Sequence, residues 1–197
     1  MDRLLLVRHG ETGAPRGIML GGRTDVPLSE EGERMSRALG GLLRSLGAGS
    51  AVSSPMVRCT ATARLAGLDF LVEEAFRELD LGLWDGLSKA EVQARWPMEF
   101  KLRGEDLAGV RPPGGESFQD LLGRVMGGIQ ALEGLGGTLA LVAHRGVCWA
   151  VLCGLLGFPL GLYGAVEQDH CGVHVLVRRG GRFVLERSNL SPRWSGV

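Results

Sequence analysis

The sequence predicts an α/β fold, a three-layer α/β/α sandwich built on a mostly parallel sheet, spanning residues 1–197 as one domain. Three observations predict it. Short apolar runs alternate with longer stretches of helical periodicity as far as residue 156, the order of strands joined by helical crossovers. Arg3 to Val7 and Thr138 to Ala143 are almost continuously apolar, as strands covered on both faces are. Two late runs flank Arg179-Gly180-Gly181, which reads as a closing hairpin.

The elements follow in order. Residues 3–8 form the first strand. Residues 13–28 carry Gly13, Pro15, Gly17, Gly21, Gly22 and Pro27 without periodicity and form a loop. Ser29 offers a capping oxygen, and Glu30, Glu31 and Glu33 suit the positive end of a helix. Met35, Leu39, Leu42, Leu43 and Leu46 give that helix one apolar face, and Gly47 ends it. A short strand at Ala51 to Ser53 leads into a helix opened by Ser54-Pro55 and reaching about Ala66. Phe70 to Val72 is a further strand, and residues 77–87 are irregular. Ser88 caps a short helix that Pro97 stops, leaving residues 101–116 as loop. A long helix runs from Ser117 to about Leu135, then the strand at 138–143 and a helix from about Gly146 to Leu156. Val173 to Val177 and Arg182 to Glu186 make the hairpin.

Composition narrows the function. The chain has 22 Lys+Arg and 22 Asp+Glu, so no global field draws in a nucleic-acid polymer or an anionic membrane, and anion binding must be local. Cys59, Cys148, Cys153 and Cys171 form no C-x-x-C pair, and no apolar leader opens the chain. The expectation is a reduced, cytoplasmic protein without a membrane span.

The chemistry sits where strands end. His9 follows the first strand in Arg8-His9-Gly10-Glu11-Thr12, and His144 follows the strand at 138–143 in His144-Arg145-Gly146. The carboxyl edge of an open α/β sheet is where ligands bind. Phosphoryl transfer to a histidine needs a neutral imidazole, fixed donors for the phosphoryl oxygens and an acid for the leaving oxygen. His9 is the candidate nucleophile and Arg8 its neighbour. Arg58, one turn into a helix after a short strand, can point back to the same edge. His144 is a second donor, and Glu78 is the candidate acid. Singly each has a duller reading: a structural histidine, a solvated arginine, an exposed loop carboxylate. Jointly and in order they point to one anionic pocket.

These residues resemble the histidine phosphatase superfamily, the phosphoglycerate-mutase-like fold. The resemblance is carried by Val7 to Thr12, Thr24 to Ser29 with Gly32, Ser53 to Arg58 with Thr62-Ala63, Arg77 to Gly86, Pro113 to Ser117, and Val142 to His144. It implies that His9 is phosphorylated, that Glu78 donates the proton, and that Arg8, Arg58 and His144 hold phosphate, as in an acid-type histidine phosphatase. It implies no metal and no required cofactor. Two departures stand out. Many members have Trp-Asn where this chain has Gly13-Ala14, so Thr12 or Arg23 would replace a phosphate contact. Many have glycine where this chain has Arg145, which either adds a guanidinium to the pocket or turns outward. The substrate-binding candidates are therefore Thr12, Gly22, Arg23 and Arg145.

Gly13-Ala14-Pro15 and Gln168-Asp169-His170-Cys171 are similar to the alpha-ribazole phosphatase branch, which implies hydrolysis of alpha-ribazole 5′-phosphate in cobalamin nucleotide-loop assembly. A phosphoglycerate mutase or broad-specificity phosphatase is the alternative within the family. A phospholigand-binding pseudoenzyme is the non-enzymatic one, disfavoured because nucleophile and acid are both retained. His170 and His174 are four apart, but on a strand that spacing is roughly 13 Å, too far for one metal ion. The expected partner is a small phosphomonoester, and oligomeric state is left open, a homodimer included. Residues 13–28 and 97–116 are expected to shape the mouth of the site.

Overall fold

The computed structural model describes residues 1–192. In chain order its elements are β1 (Arg3–Arg8), α1 (Glu30–Ser45), β2 (Ser50–Ser53), α2 (Val57–Leu65), β3 (Phe70–Val72), α3 (Lys89–Arg95), α4 (Pro97–Glu105), α5 (Phe118–Ala131), β4 (Thr138–Ala143), α6 (Arg145–Leu156), β5 (Val173–Arg179) and β6 (Arg182–Leu190). Six strands form one sheet in the order β3-β2-β4-β1-β5-β6. β3, β2, β4 and β1 run parallel, and β5 and β6 add an antiparallel pair beside β1. The predicted α/β sandwich with a mostly parallel sheet is therefore the observed one.

Strand alternation explains the three layers. Successive side chains on a strand point to opposite faces. In β1, Leu4 and Leu6 join Leu139 and Leu141 of β4 in one core, completed by Leu121, Val125 and Ile129 of α5 and by α6. Leu5 and Val7 join Ala140 and Val142 in the other, completed by Leu39 and Leu43 of α1 and by Ala63 of α2. Because both faces are covered, the central strands carry no polar residue in their middle. Among the described residues no helix is long and apolar enough to cross a membrane.

The helix starts follow the capping signals. Ser29 accepts from the Gly32 N–H. Ser88 and Ser117 each form a reciprocal box with the acid three residues on, Glu91 and Asp120. Gly180 and Gly181 turn the hairpin at φ of 57° and 80°, conformations glycine adopts without steric cost.

Three boundaries correct the sequence reading. Pro97 does stop the short helix α3, which ends at Arg95, but it also takes the first position of α4, where its missing N–H costs nothing, so residues 97–105 are helix rather than loop. Pro55 lies ahead of α2, whose cap is Met56. α5 ends at Ala131, because Gly134, Gly136 and Gly137 beyond it favour turns over helix.

Candidate active site

The parallel strands end in register. Arg8 pairs with Ala143 and Ser53 with Val142, so His9, His144 and Ser54 all emerge at one edge of the sheet. β5 returns antiparallel with Val173 opposite Val7, which brings the preceding turn and His170 to the same edge. The Cys171 N–H donates to the Arg8 carbonyl at 3.0 Å and anchors that turn.

His9 is buried, and its Nδ1 lies 2.7 Å from the Gly10 carbonyl oxygen. A carbonyl can only accept, so Nδ1 carries the proton and Nε2 keeps its lone pair. Burial, then the Arg58 and Arg8 guanidinium groups, hold the imidazole well below its ordinary pKa, which keeps it neutral at pH 7. The arrangement presents a neutral nucleophile among cations.

Arg8 donates to the Gln168 carbonyl at 2.8 Å and to His170 Nε2 at 2.8 Å, while its buried Nε has no acceptor among the described residues. Arg58 is almost wholly buried and is fixed at every nitrogen: Nε donates to His144 Nδ1 (3.2 Å), Nη1 to the Thr24 carbonyl (3.1 Å) and Nη2 to the Gly21 carbonyl (3.2 Å). Asp25 lies 3.6 Å from Arg58 and also accepts the Val57 N–H at the start of α2. One loop carboxylate thus caps the helix that carries Arg58.

His144 is fully buried between Arg58 and Ser54, whose Oγ is 2.7 Å from His144 Nε2. Since Nδ1 accepts from Arg58, Nε2–H donates to Ser54. Its ring stands edge-on to His9 at 5.3 Å. In this arrangement both ring nitrogens serve Arg58 and Ser54 rather than the cleft.

Glu78 approaches from the irregular segment after β3. Its carboxylate accepts from the Leu79 N–H at 2.8 Å and from the Gly146 N–H, in the first turn of α6, at 3.3 Å. Burial raises its pKa, against those two N–H groups and Arg58, and so favours the protonated acid.

The cleft holds about 910 Å³ and is lined by His9, Arg8, Arg58, Glu78, Thr12 and Arg145 at its chemical end. Both predicted mouth segments contribute, through Ala14, Pro15, Ile18 and Met19 from one and Phe100, Arg103 and Leu107 from the other. Arg145 does not turn outward: its guanidinium lies over the Tyr163 ring at 5.1 Å, on the cleft wall. Gly22 and Arg23 are not among the residues lining this cleft. They border an adjoining polar cavity, where Arg23 pairs with Asp80 at 2.7 Å. Among the described residues no group of three or more His, Cys, Asp or Glu could hold a metal ion. His174 lies within β5, accepting the Asn189 N–H, while His170 lines the cleft.

Sequence reasoning passed over Ser54, Gln168, Tyr163, Phe118 and Arg103. Ser54 had a signal, lying between the strand and Arg58. Gln168 lies in the run Gln168 to Cys171 that carries the branch resemblance, without having been given a site role, and Tyr163, Phe118 and Arg103 come from segments remote in sequence, so no local pattern marked them.

Comparison with known proteins agrees with this geometry. A family model described as histidine phosphatase superfamily (branch 1) matches residues 4–191. A bifunctional protein of Mycobacterium tuberculosis is 40% identical over 151 residues, 72% of this chain and 41% of its own length. The chain thus spans well under half of that relative. A probable phosphoglycerate mutase of Salmonella paratyphi C is 31% identical over 88% of this chain and 83% of its own. The crystal structure of a putative alpha-ribazole-5′-P phosphatase from Escherichia coli superposes with a TM-score of 0.88 at 24% identity, covering 96% of each chain, a likeness of fold.

Proposed function

Since the chain belongs to the histidine phosphatase superfamily, branch 1, we propose that it is a phosphomonoester hydrolase working through a phosphohistidine at His9. One observation carries the reading. His9 offers an unprotonated Nε2 in a cleft it shares with the buried Arg58, the half-buried Arg8 and a carboxyl group whose burial favours protonation. In the first step Nε2 attacks phosphorus, the ester P–O bond breaks, and the leaving oxygen takes the Glu78 proton. In the second, water attacks phosphorus, the N–P bond breaks, and the Glu78 carboxylate receives the water's proton. Arg8 and Arg58 balance the phosphoryl charge, which is where most of the acceleration in phosphoryl transfer arises. His144 orients Arg58.

Hydrolysis and mutase chemistry share this first step and part at the second, since a mutase must hold water away from its phosphohistidine. The substrate is a small phosphomonoester rather than a nucleic-acid polymer or a membrane component. The four free, buried cysteines support a reducing, cytoplasmic setting. Alpha-ribazole 5′-phosphate is the first substrate to test, because the chain resembles that branch at Gln168 to Cys171 and the cleft has aromatic walls at Trp84, Phe100 and Phe118. Its kcat/KM should exceed those of 3-phosphoglycerate and a simple aryl phosphate. Equal slow rates would leave the hydrolase and remove the cobalamin assignment. The covalent step is tested by acid-quenching turnover of labelled ester: label should remain on the native chain and be absent from His9→Ala, which should also lose more than about a thousandfold in kcat. A His9→Ala variant retaining most of the rate sinks the mechanism.

A further inference from the structure

The cleft carries more positive charge than one phosphoryl group needs. Six basic side chains line it, Arg8, Arg16, Arg58, Lys89, Arg103 and Arg145, against the carboxylates of Glu11 and Glu78. Among the described residues only Arg58 of the six has a carboxylate within 4 Å. In a chain of zero net charge this is a local concentration.

Arg103 is the most telling of them. It projects from α4, is only 7% exposed, and lines the cleft. Its one protein acceptor is the Val110 carbonyl, reached through Nη1. Nε and Nη2 have none among the described residues. Neither nitrogen is sealed from solvent, so both can accept a ligand from the cleft side, and partial burial lowers the guanidinium pKa with no acid among the described residues offsetting it. Arginine stays charged under such conditions, so the cation persists and lacks an anion.

Arg103 is joined to the chemical end by a continuous ladder. Its guanidinium lies 5.9 Å from the Phe118 ring centroid, Phe118 lies 5.0 Å from Tyr163, and Tyr163 lies 5.1 Å from the Arg145 guanidinium. Arg145 adjoins His144. Three contacts of that length separate the two guanidinium groups, with an aromatic floor between them that favours a flat apolar body.

We infer that Arg103 forms a second anion subsite, and that the substrate is a phosphomonoester whose leaving group carries a ring and, at its far end, a carboxylate or second phosphoryl group. The inference rests on the hydrolase reading for the end that carries His9 and extends it to the other end of the cleft. Alpha-ribazole 5′-phosphate supplies the ring but not the remote anion, so its far end would leave Arg103 unanswered.

Non-hydrolysable phosphonates test the subsite apart from turnover. Calorimetry would compare biphenyl-4-phosphonate with its 4′-carboxy and 4′-phosphono derivatives, on the native chain and on Arg103→Met and Arg103→Lys. The expected result is at least a tenfold tighter Kd for one or both remote anions on the native chain, less than twofold on Arg103→Met, and an intermediate gain on Arg103→Lys. Which derivative gains more identifies the anion. A merely structural arginine would weaken all three ligands alike and leave their ratios unchanged. Equal Kd values on the native chain, or a gain that survives in Arg103→Met, overturn the subsite. The matching aryl phosphates then separate the two claims: a remote-anion gain in binding without any turnover would overturn the hydrolase while the subsite stands.

Discussion

Opposed burial effects on His9 and Glu78 set the pH range in which the chemistry can run. In the proposed mechanism the reacting form needs His9 neutral and Glu78 protonated. His9 is held well below 6.5, so it is neutral above a low threshold, and Glu78 is raised above 4.5, so it stays protonated past the usual carboxylate range. The kcat/KM profile should therefore be a bell, with a rising limb below 6.5 from His9 and a falling limb above 4.5 from Glu78. Glu78→Gln should abolish the falling limb. It should also slow alkyl esters at least about tenfold more than nitrophenyl phosphate, whose leaving group needs little protonation. Equal losses on both esters would take the acid role from Glu78. His9 was legible because it sits at a strand end that periodicity marks, whereas Glu78 lies in an irregular segment and was legible only jointly with the other site residues and the family resemblance. Arg103 was not, since nothing local separates a buried cation on a short helix from a solvated one.

At the scale of elements, α6 is the piece that couples fold to chemistry. Its first turn carries Gly146, whose N–H donates to Glu78, and a Cβ at that position would press on the Glu78 carboxylate. Gly146→Ala gains helix propensity of roughly 0.5–1 kcal/mol in principle. The crowded carboxylate, not the helix, is then what must move. We expect kcat to fall by about tenfold or more with a melting temperature near the native value. An unchanged kcat would show that Glu78 relocates without loss. The caps were readable from single residues, and Ser117→Ala should cost about 1 kcal/mol, seen as a lower urea midpoint at unchanged m-value. α4 was not readable, because a proline after one short helix looks like a stop and proves to be the start of another.

Over the whole molecule, strand alternation made the fold legible: two buried faces demand two helical layers. The sequence did not show that this burial extends to every histidine. All four are held below their ordinary pKa, His9 and His144 well below 6.5, and His170 and His174 near 4, burial being the first cause in each. A depressed folded-state pKa means that the unfolded chain binds the proton first as pH falls. Native stability is therefore fully present above 6.5 and is lost as pH drops from there towards 4. Each histidine contributes a slope of up to about 1.4 kcal/mol per pH unit. Glu78 acts in the opposite sense, its raised pKa giving the native state a proton that the unfolded chain lacks, so it offsets part of the proton uptake by the histidines on unfolding. Urea midpoints at pH 7, 6 and 5 should fall progressively. His174 lies in β5 away from the cleft lining, so His174→Gln should shallow that slope by about one proton while leaving the pH limbs of catalysis in place. A midpoint flat between pH 7 and 5 would mean that the histidines exchange protons with solvent as freely in the native state as in the unfolded one, and would remove the burial argument from His9 as well.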